Sequence, residues 1–232
     1  MGTLNQESKV PFSDTVSCWV FDLDGTLSDP IEGMVASFNH ALLNSGFDIA
    51  PVDQAVLRPH IGPPLEETFA LLSGSNDKTV LNTLIQLYRE HYRETGYALN
   101  TVYEGVVNML DSLADNGARL AVCTAKTQPV AEKVLSLHGL LDRFEFVSGG
   151  DVGISKSQQL ETALQMKLID NQAVMIGDRR YDMQAAQDNN LVACGVLWGY
   201  GERQELMEYP PNIVVERPQE IVELFNELDL QS

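Results

Sequence analysis

Short apolar runs recur along the chain at residues 16–21, 119–124, 144–148, 173–176 and 192–197, with a weaker one at 212–215. Several are apolar at consecutive positions rather than alternate ones, which suits strands of a parallel sheet covered on both faces by helices. Between the later runs the spacing changes to that of amphipathic helices. Val106, Met109, Leu110 and Leu113 form one stripe, closed by Asn116-Gly117. Val130, Val134, Leu135 and Leu137 form another, opened by Thr127 and closed by Gly139. Leu160, Ala163 and Leu164 mark a third; Met183, Ala185 and Ala186 mark a fourth, ending in Asn189-Asn190, where Asn tolerates a left-handed cap. Strand–helix alternation at this spacing predicts right-handed βαβ units in an open sheet.

One stretch breaks the alternation. From Asp29 to Asn100 the pattern holds helix signals and no convincing strand. Ile31, Met34, Val35, Phe38 and Leu42 recur at helical spacing. Leu65, Phe69 and Leu72 follow Pro63-Pro64, a helix start, and Val80, Leu84, Leu87, Tyr88 and His91 mark a third stripe. A crossover between parallel strands needs far fewer residues. The pattern therefore predicts an α/β, Rossmann-like parallel sheet with an inserted all-helical domain: residues 1–29 and 100–232 form the discontinuous core and 30–99 the insert.

Composition narrows the function classes. The chain has 232 residues, 33 acidic and 15 basic side chains, and a net charge of −18. Binders of duplex nucleic acid or of anionic membranes need basic patches, so neither is expected as a partner. An anionic substrate would need local positive charge to overcome the repulsion. Cys18, Cys123 and Cys194 each sit inside an apolar run and read as small core residues in a reducing compartment. His40, His60, His91 and His138 show no zinc spacing. The first fifteen residues lack the apolar centre of a leader, and Gln6 stands where an acylation signal wants Ser or Thr. No apolar run approaches the ~18 residues of a membrane span. A cytoplasmic protein is the expectation.

Ligand sites in open α/β sheets lie at the carboxyl ends of the strands. The first run ends in Asp22-Leu23-Asp24-Gly25-Thr26, the second in Thr124-Ala125-Lys126, and the fourth in Gly177-Asp178-Arg179-Arg180-Tyr181-Asp182; Lys156 opens the helix after the third. Four carboxylates, a hydroxyl and a lysine converge on one edge. Converging carboxylates repel and are tolerated chiefly when a cation binds them, and hard oxygen donors suit Mg²⁺. A carboxylate beside such an ion can attack phosphorus, and a second acid two residues on can protonate the leaving oxygen and then activate water. A hydroxyl, a lysine and strand-end amides can hold the remaining oxygens.

These residues resemble the haloacid dehalogenase-like superfamily of aspartate-nucleophile phosphatases, over nearly the whole chain. Its four motifs fall on Asp22-x-Asp24-Gly25-Thr26, on Thr124, on Lys156, and on Gly177-Asp178 with Asp182. The resemblance implies that Asp22 is the nucleophile and Asp24 the general acid/base. It implies that Asp22, the main-chain carbonyl of Asp24 and Asp178 hold Mg²⁺, with Asp182 an auxiliary acid. Gly25, Thr124, Ala125 and Lys156 are then expected to bind the phosphate, and the helical insert matches the family's cap. The acid at Asp24 points to phosphate esters rather than halides or phosphonates.

Residues 61–69 and Trp198-Gly199-Tyr200-Gly201 resemble phosphoglycolate phosphatase-like and 5′-nucleotidase-like members. Sugar-phosphate mutases of the β-phosphoglucomutase kind share both acids and stay open. The partner expected is a small phosphorylated metabolite, and the protein a monomer or homodimer. Arg58, His60 and Gly62 are the candidates for substrate contacts from the insert. Lys126, Arg179 and Arg180 are candidates for positive potential near the strand ends, with surface ion pairs the alternative for Arg179 and Arg180. Trp19, Phe21 and Trp198 read as core. A receiver-like phosphoacceptor module, the alternative outside enzymes, would place an adjacent acidic pair at its first strand and has no room for the insert.

Overall fold

The structure, a computed structural model, describes residues 16–150 and 154–229; the amino-terminal stretch considered for a leader or acyl signal lies outside them. The chain enters through β1 (Trp19–Phe21) and forms β2 (Ser28–Asp29) after a tight turn. Four helices follow: α1 (Ile31–Asn44), α2 (Gln54–Leu57), α3 (Leu65–Ser73) and α4 (Lys78–Glu94). The next strand, β3 (Thr101–Val102), returns antiparallel to β2. Strand and helix then alternate through α5 (Val106–Asp115), β4 (Leu120–Thr124), α6 (Gln128–Leu137), β5 (Phe146–Gly149), α7 (Lys156–Gln165) and β6 (Val174–Gly177). The series ends with α8 (Arg180–Asp188), β7 (Val192–Val196), α9 (Arg203–Leu206), β8 (Ile213–Val215) and α10 (Pro218–Asp229).

The main sheet has the order β5-β4-β1-β6-β7-β8, and every pair in it is parallel. The chain builds outward from β1 to one side and then to the other, so the order reverses beside β1, where an open sheet leaves a crevice. Successive strand residues face opposite layers. Trp19, Phe21, Leu120, Val122, Val174 and Ile176 pack with α5, α6 and α10 on one face. Cys18, Val20, Ala121, Cys123, Ala173 and Met175 pack with α7 and α8 on the other. All three cysteines are free and buried.

The helices between β2 and β3 have an apolar cluster of their own. Phe38 of α1 lies 4.7 Å from both Phe69 of α3 and Tyr88 of α4, ring centre to ring centre. Two buried aromatics rest on this cluster from α4, Tyr88 and Tyr92. No described helix is long and apolar enough to cross a membrane.

Three local expectations shift. The first strand begins at Trp19, not Val16. The β2–β3 ladder escaped the pattern because two-residue strands carry too few positions to show alternation. On α4 the buried stripe is Leu81, Leu84, Tyr88 and Tyr92, so the expected stripe was displaced and stopped a residue short.

Candidate active site

The ladder of β1 continues one residue beyond the strand, with Asp22 N–H donating to Ile176 O at 2.8 Å. Asp22 is thereby fixed at the carboxyl end of the sheet, next to β6. The chain then turns through Gly25, whose N–H donates to Ser28 O at 2.8 Å and whose φ is +88°. A Cβ at Gly25 would overlap the Asp178 carboxylate, so only glycine lets the turn approach that acid. Its N–H is given to Ser28, and its lack of a side chain is what admits this close approach.

Asp22, Asp178 and Asp182 are buried, and one carboxylate oxygen from each lies within 4.8 Å of the others. Asp178 follows β6; its Oδ2 accepts from Tyr200 N–H at 2.8 Å and its Oδ1 from Thr26 Oγ1 at 3.2 Å. Asp182 stands in the first turn of α8. Arg179 is the N-cap of that helix, and Asp182 reaches back from the third helical residue to accept from Arg179 N–H at 2.9 Å. A Cβ at Gly177 would overlap Asp182, which explains the glycine of that motif. Lys156 is the first residue of α7, held there by a capping box between Ser155 and Gln158. Its Nζ ion-pairs with Asp182 and, at 3.0 Å, with Asp22 Oδ1.

Crowding sets the electrostatics. Burial, reinforced by the charges of Asp182 and Asp22, pushes the Asp178 carboxyl up to about 7. Burial also raises Asp182, to about 6, with Lys156 opposing. Burial alone would lower Lys156, but Asp182 and Asp22 overcome it and hold the ammonium charged. Buried, mutually repelling carboxylates of this kind fit a divalent cation bound through hard oxygens. Asp22, Asp178 and Asp182 each turn one oxygen toward this point, and Asp182 is in addition ion-paired with Lys156.

Asp24 stands apart from this trio. Its Oδ2 ion-pairs with Lys126 Nζ at 2.9 Å, while its Oδ1 is buried and has no hydrogen-bond partner among the described residues. Burial raises its carboxyl, with Lys126 opposing. Lys126 Nζ sits 4.2 Å from the centre of the Tyr92 ring, on its face. Thr124 ends β4, buried, and its Oγ1 accepts from Lys126 N–H at 3.2 Å, leaving the hydroxyl proton to be donated elsewhere. Ala125, the next residue, is exposed.

The loop after β7 joins the helical insert to the acids. Tyr200, besides holding Asp178, donates its hydroxyl to Asp29 Oδ1, which also accepts from Ile31 N–H at the start of α1. Arg58 lies over the Tyr200 ring at 5.0 Å. Gly62, at φ +106°, faces the core so closely that a Cβ there would stand 3.0 Å from Arg179 Nη1. Arg58 and Gly62 thus meet the core beside the acid cluster. The contact shown for His60 stays within the insert: its carbonyl accepts from Thr68 Oγ1 of α3 at 3.5 Å. Arg179 pairs with Glu205 at 2.7 Å in a buried setting, and Arg180 with Glu208 at 2.7 Å in an exposed one. Trp19 and Phe21 are core, and Trp198 donates from Nε1 to Thr26 O at 2.8 Å, bracing the Gly25 turn. Sequence reasoning missed Tyr92 and the roles of Tyr200. The usable signals were Tyr92 one turn past Tyr88, and a tyrosine between two glycines after the fifth run.

Four carboxylates and two buried lysines gathered at the carboxyl end of a parallel sheet fit a hydrolase of phosphoric monoesters. Its family follows from comparison: residues 19–196 match the model described as haloacid dehalogenase-like hydrolase, and the chain belongs to that family. The tyrosine-protein kinase PtkA of Mycobacterium tuberculosis is 34% identical over 88% of this chain and 70% of its own length. A 5′-nucleotidase of Pseudomonas aeruginosa is 34% identical over 83% of this chain and 87% of its own. Among solved structures, a predicted phosphatase from Clostridium acetobutylicum superposes with a TM-score of 0.82 at 32% identity, covering 91% of this chain and 98% of that one.

Proposed function

We propose that the chain hydrolyses a small phosphate monoester through a phosphorylated Asp22, with Mg²⁺ held by Asp22, the main-chain carbonyl of Asp24 and Asp178. The observation that carries this reading is the division of two carboxylates, two residues apart, between two lysines: Lys156 pairs with Asp22 and Lys126 with Asp24. Neighbouring acids in distinct environments are the mark of a nucleophile and a separate proton carrier. An Asp22 oxygen attacks phosphorus and the bond to the ester oxygen breaks, with Asp24 giving its proton to the departing alkoxide. Water then gives a proton to Asp24 as its oxygen attacks the same phosphorus. The bond to Asp22 breaks, and inorganic phosphate leaves with both acids restored. Lys156 and the Thr124 hydroxyl donate to the non-bridging oxygens, and Asp182 keeps Lys156 in place. The cation, when bound, offsets the repulsion between the Asp22 oxygen and the phosphoryl group.

Phosphoglycolate is the first substrate candidate and a nucleoside 5′-monophosphate the second. The helical insert acts as a cap, with its Tyr92 over Lys126 of the core. Buried free cysteines suit a reducing compartment such as the cytoplasm. The test is phosphate release from phosphoglycolate, nucleoside 5′-monophosphates and hexose phosphates, with Mg²⁺ and with EDTA. Metal-dependent release from at least one is expected, and none from the whole panel would sink the reading. Glucose 6-phosphate formed from β-glucose 1-phosphate would replace hydrolysis by a mutase reaction. ATP with a tyrosine acceptor joins the panel because the mycobacterial relative is named a tyrosine-protein kinase.

A further inference from the structure

Lys126 is buried in the site yet has no part in the reaction as written above. We propose that Lys126 is the positioning residue for Asp24, holding one carboxylate oxygen so that the other faces the leaving oxygen, and that Tyr92 of the helical insert seats Lys126 for this task. The proposal rests on the reading of Asp24 as proton donor.

Four observations converge. Lys126 Nζ meets Asp24 Oδ2 at 2.9 Å with side chains only 9% and 19% exposed, so the pair is little screened and its geometry is held. Asp24 Oδ1 is buried without a hydrogen-bond partner among the described residues, and a buried acceptor left open in this way is suited to a ligand group. The backbone of Lys126 is fixed at both ends of its turn: its N–H donates to Thr124 Oγ1 at 3.2 Å and its carbonyl accepts from Gly150 N–H at 2.9 Å. Its side chain therefore starts from the turn that presents Thr124 and crosses to the end of β1. Finally, the Tyr92 ring lies beneath Nζ at 4.2 Å and stacks on Tyr88 at 5.7 Å, which ties the lysine to the apolar cluster of the insert. A lysine stem alone has wide rotamer freedom; an aromatic seat removes much of it. The insert thus takes part, through Tyr92, in aiming the proton donor.

Three esters of equal charge but rising demand for leaving-group protonation test this: p-nitrophenyl, phenyl and ethyl phosphate. kcat/KM is measured for wild type, Lys126→Met, Lys126→Arg, Tyr92→Leu and Asp22→Asn at saturating Mg²⁺. Lys126→Met is expected to lose about 100-fold on ethyl phosphate and under about tenfold on p-nitrophenyl phosphate, within the usual reach of general acid catalysis. Lys126→Arg is expected to restore most of that loss. Tyr92→Leu should show the same ordering with a smaller spread, and it carries the comparison if Lys126→Met does not fold. Equal losses on all three esters, or none, would overturn the positioning role. If wild type hydrolyses no ester, or Asp22→Asn matches wild type, the reaction itself is misread and the positioning role falls with it. An active wild type, an inactive Asp22→Asn and a flat Lys126→Met profile would remove the positioning role alone.

Discussion

Asp178 is the point where the acid cluster is most strained without a cation, and the strain has a measurable size. Its carboxyl is raised from 3.8 to about 7, roughly 3 units, which at 1.36 kcal/mol per unit is about 4 kcal/mol. The folded chain keeps this proton at pH values where the unfolded chain has released it. Stability of the metal-free protein therefore falls as pH rises from about 4 to about 7, because ionising Asp178 costs more folded than unfolded. Above that window the full penalty is present. For a chain of this length about 4 kcal/mol corresponds to roughly 10 °C in Tm. At the proposed site Mg²⁺ would bind the ionised folded form, and it should recover much of the loss at high pH, with little effect near pH 5.

The perturbation is Asp178→Asn. An amide can still accept from Tyr200 N–H through its oxygen and can donate to Thr26 Oγ1, so the local bonds survive without the charge. Thermal unfolding in EDTA, at pH 5 and pH 8, is compared between wild type and variant, and then repeated with Mg²⁺. In EDTA the wild type is expected to lose roughly 6 °C of Tm from pH 5 to pH 8 relative to the variant, because about 2 of the 3 units lie above pH 5. Mg²⁺ should close that gap in the wild type and leave the variant nearly unmoved. Parallel pH trends in EDTA, or equal stabilisation of both proteins by Mg²⁺, would refute the reasoning.

Asp22→Asn should cut phosphate release by at least about 10⁴-fold while circular dichroism and Tm stay close to wild type, since removing a nucleophile leaves the fold intact. Gly177→Ala should destabilise the core by at least about 1–3 kcal/mol in urea titration, because its Cβ would overlap Asp182 and neither the buried acid nor the strand has room to yield. Phe38→Ala should cost about 3–5 kcal/mol by the same assay, as Phe38 is fully buried among Phe69 and Tyr88. It should also lower activity, since Tyr92 stands on the same cluster.

The sheet was legible because its signal is local: a strand buried on both faces writes consecutive apolar residues into the sequence, as at Val20, Phe21 and 120–123. Asp22, Asp178 and Lys156 were legible for the same reason, since each stands next to such a run and open sheets gather their ligands at strand ends. What stayed hidden is pairing across long stretches of chain. Nothing near Asp24 indicates that Lys126, from another strand, takes its Oδ2, or that α4 supplies an aromatic face to that lysine. The stripe on α4 was read through His91, whereas the buried face continues to Tyr92. Tyr200 shows the limit differently: the motif around it was visible, but its backbone grip on Asp178 and its hydroxyl contact to Asp29 exist only once β1, β6 and the loop after β7 lie side by side.

The charge of −18 is therefore a poor guide to the site. The edge holds Asp22, Asp24, Asp178 and Asp182 against Lys126 and Lys156, all of them largely buried. With every group ionised the local balance is two negative charges, which one divalent cation cancels. A proton on Asp24, favoured by its raised carboxyl, tips the edge positive when a phosphate dianion arrives. The two lysines are not interchangeable in this balance. Lys156 lies among the acids that would hold the cation and is paired with Asp182, whereas Lys126 lies across the turn, beside the acid proposed to carry the proton. Had both lysines gathered around Asp22, Asp24 would be a buried acid without orientation. In the proposed mechanism their separation lets one short strand end serve as both nucleophile and proton donor.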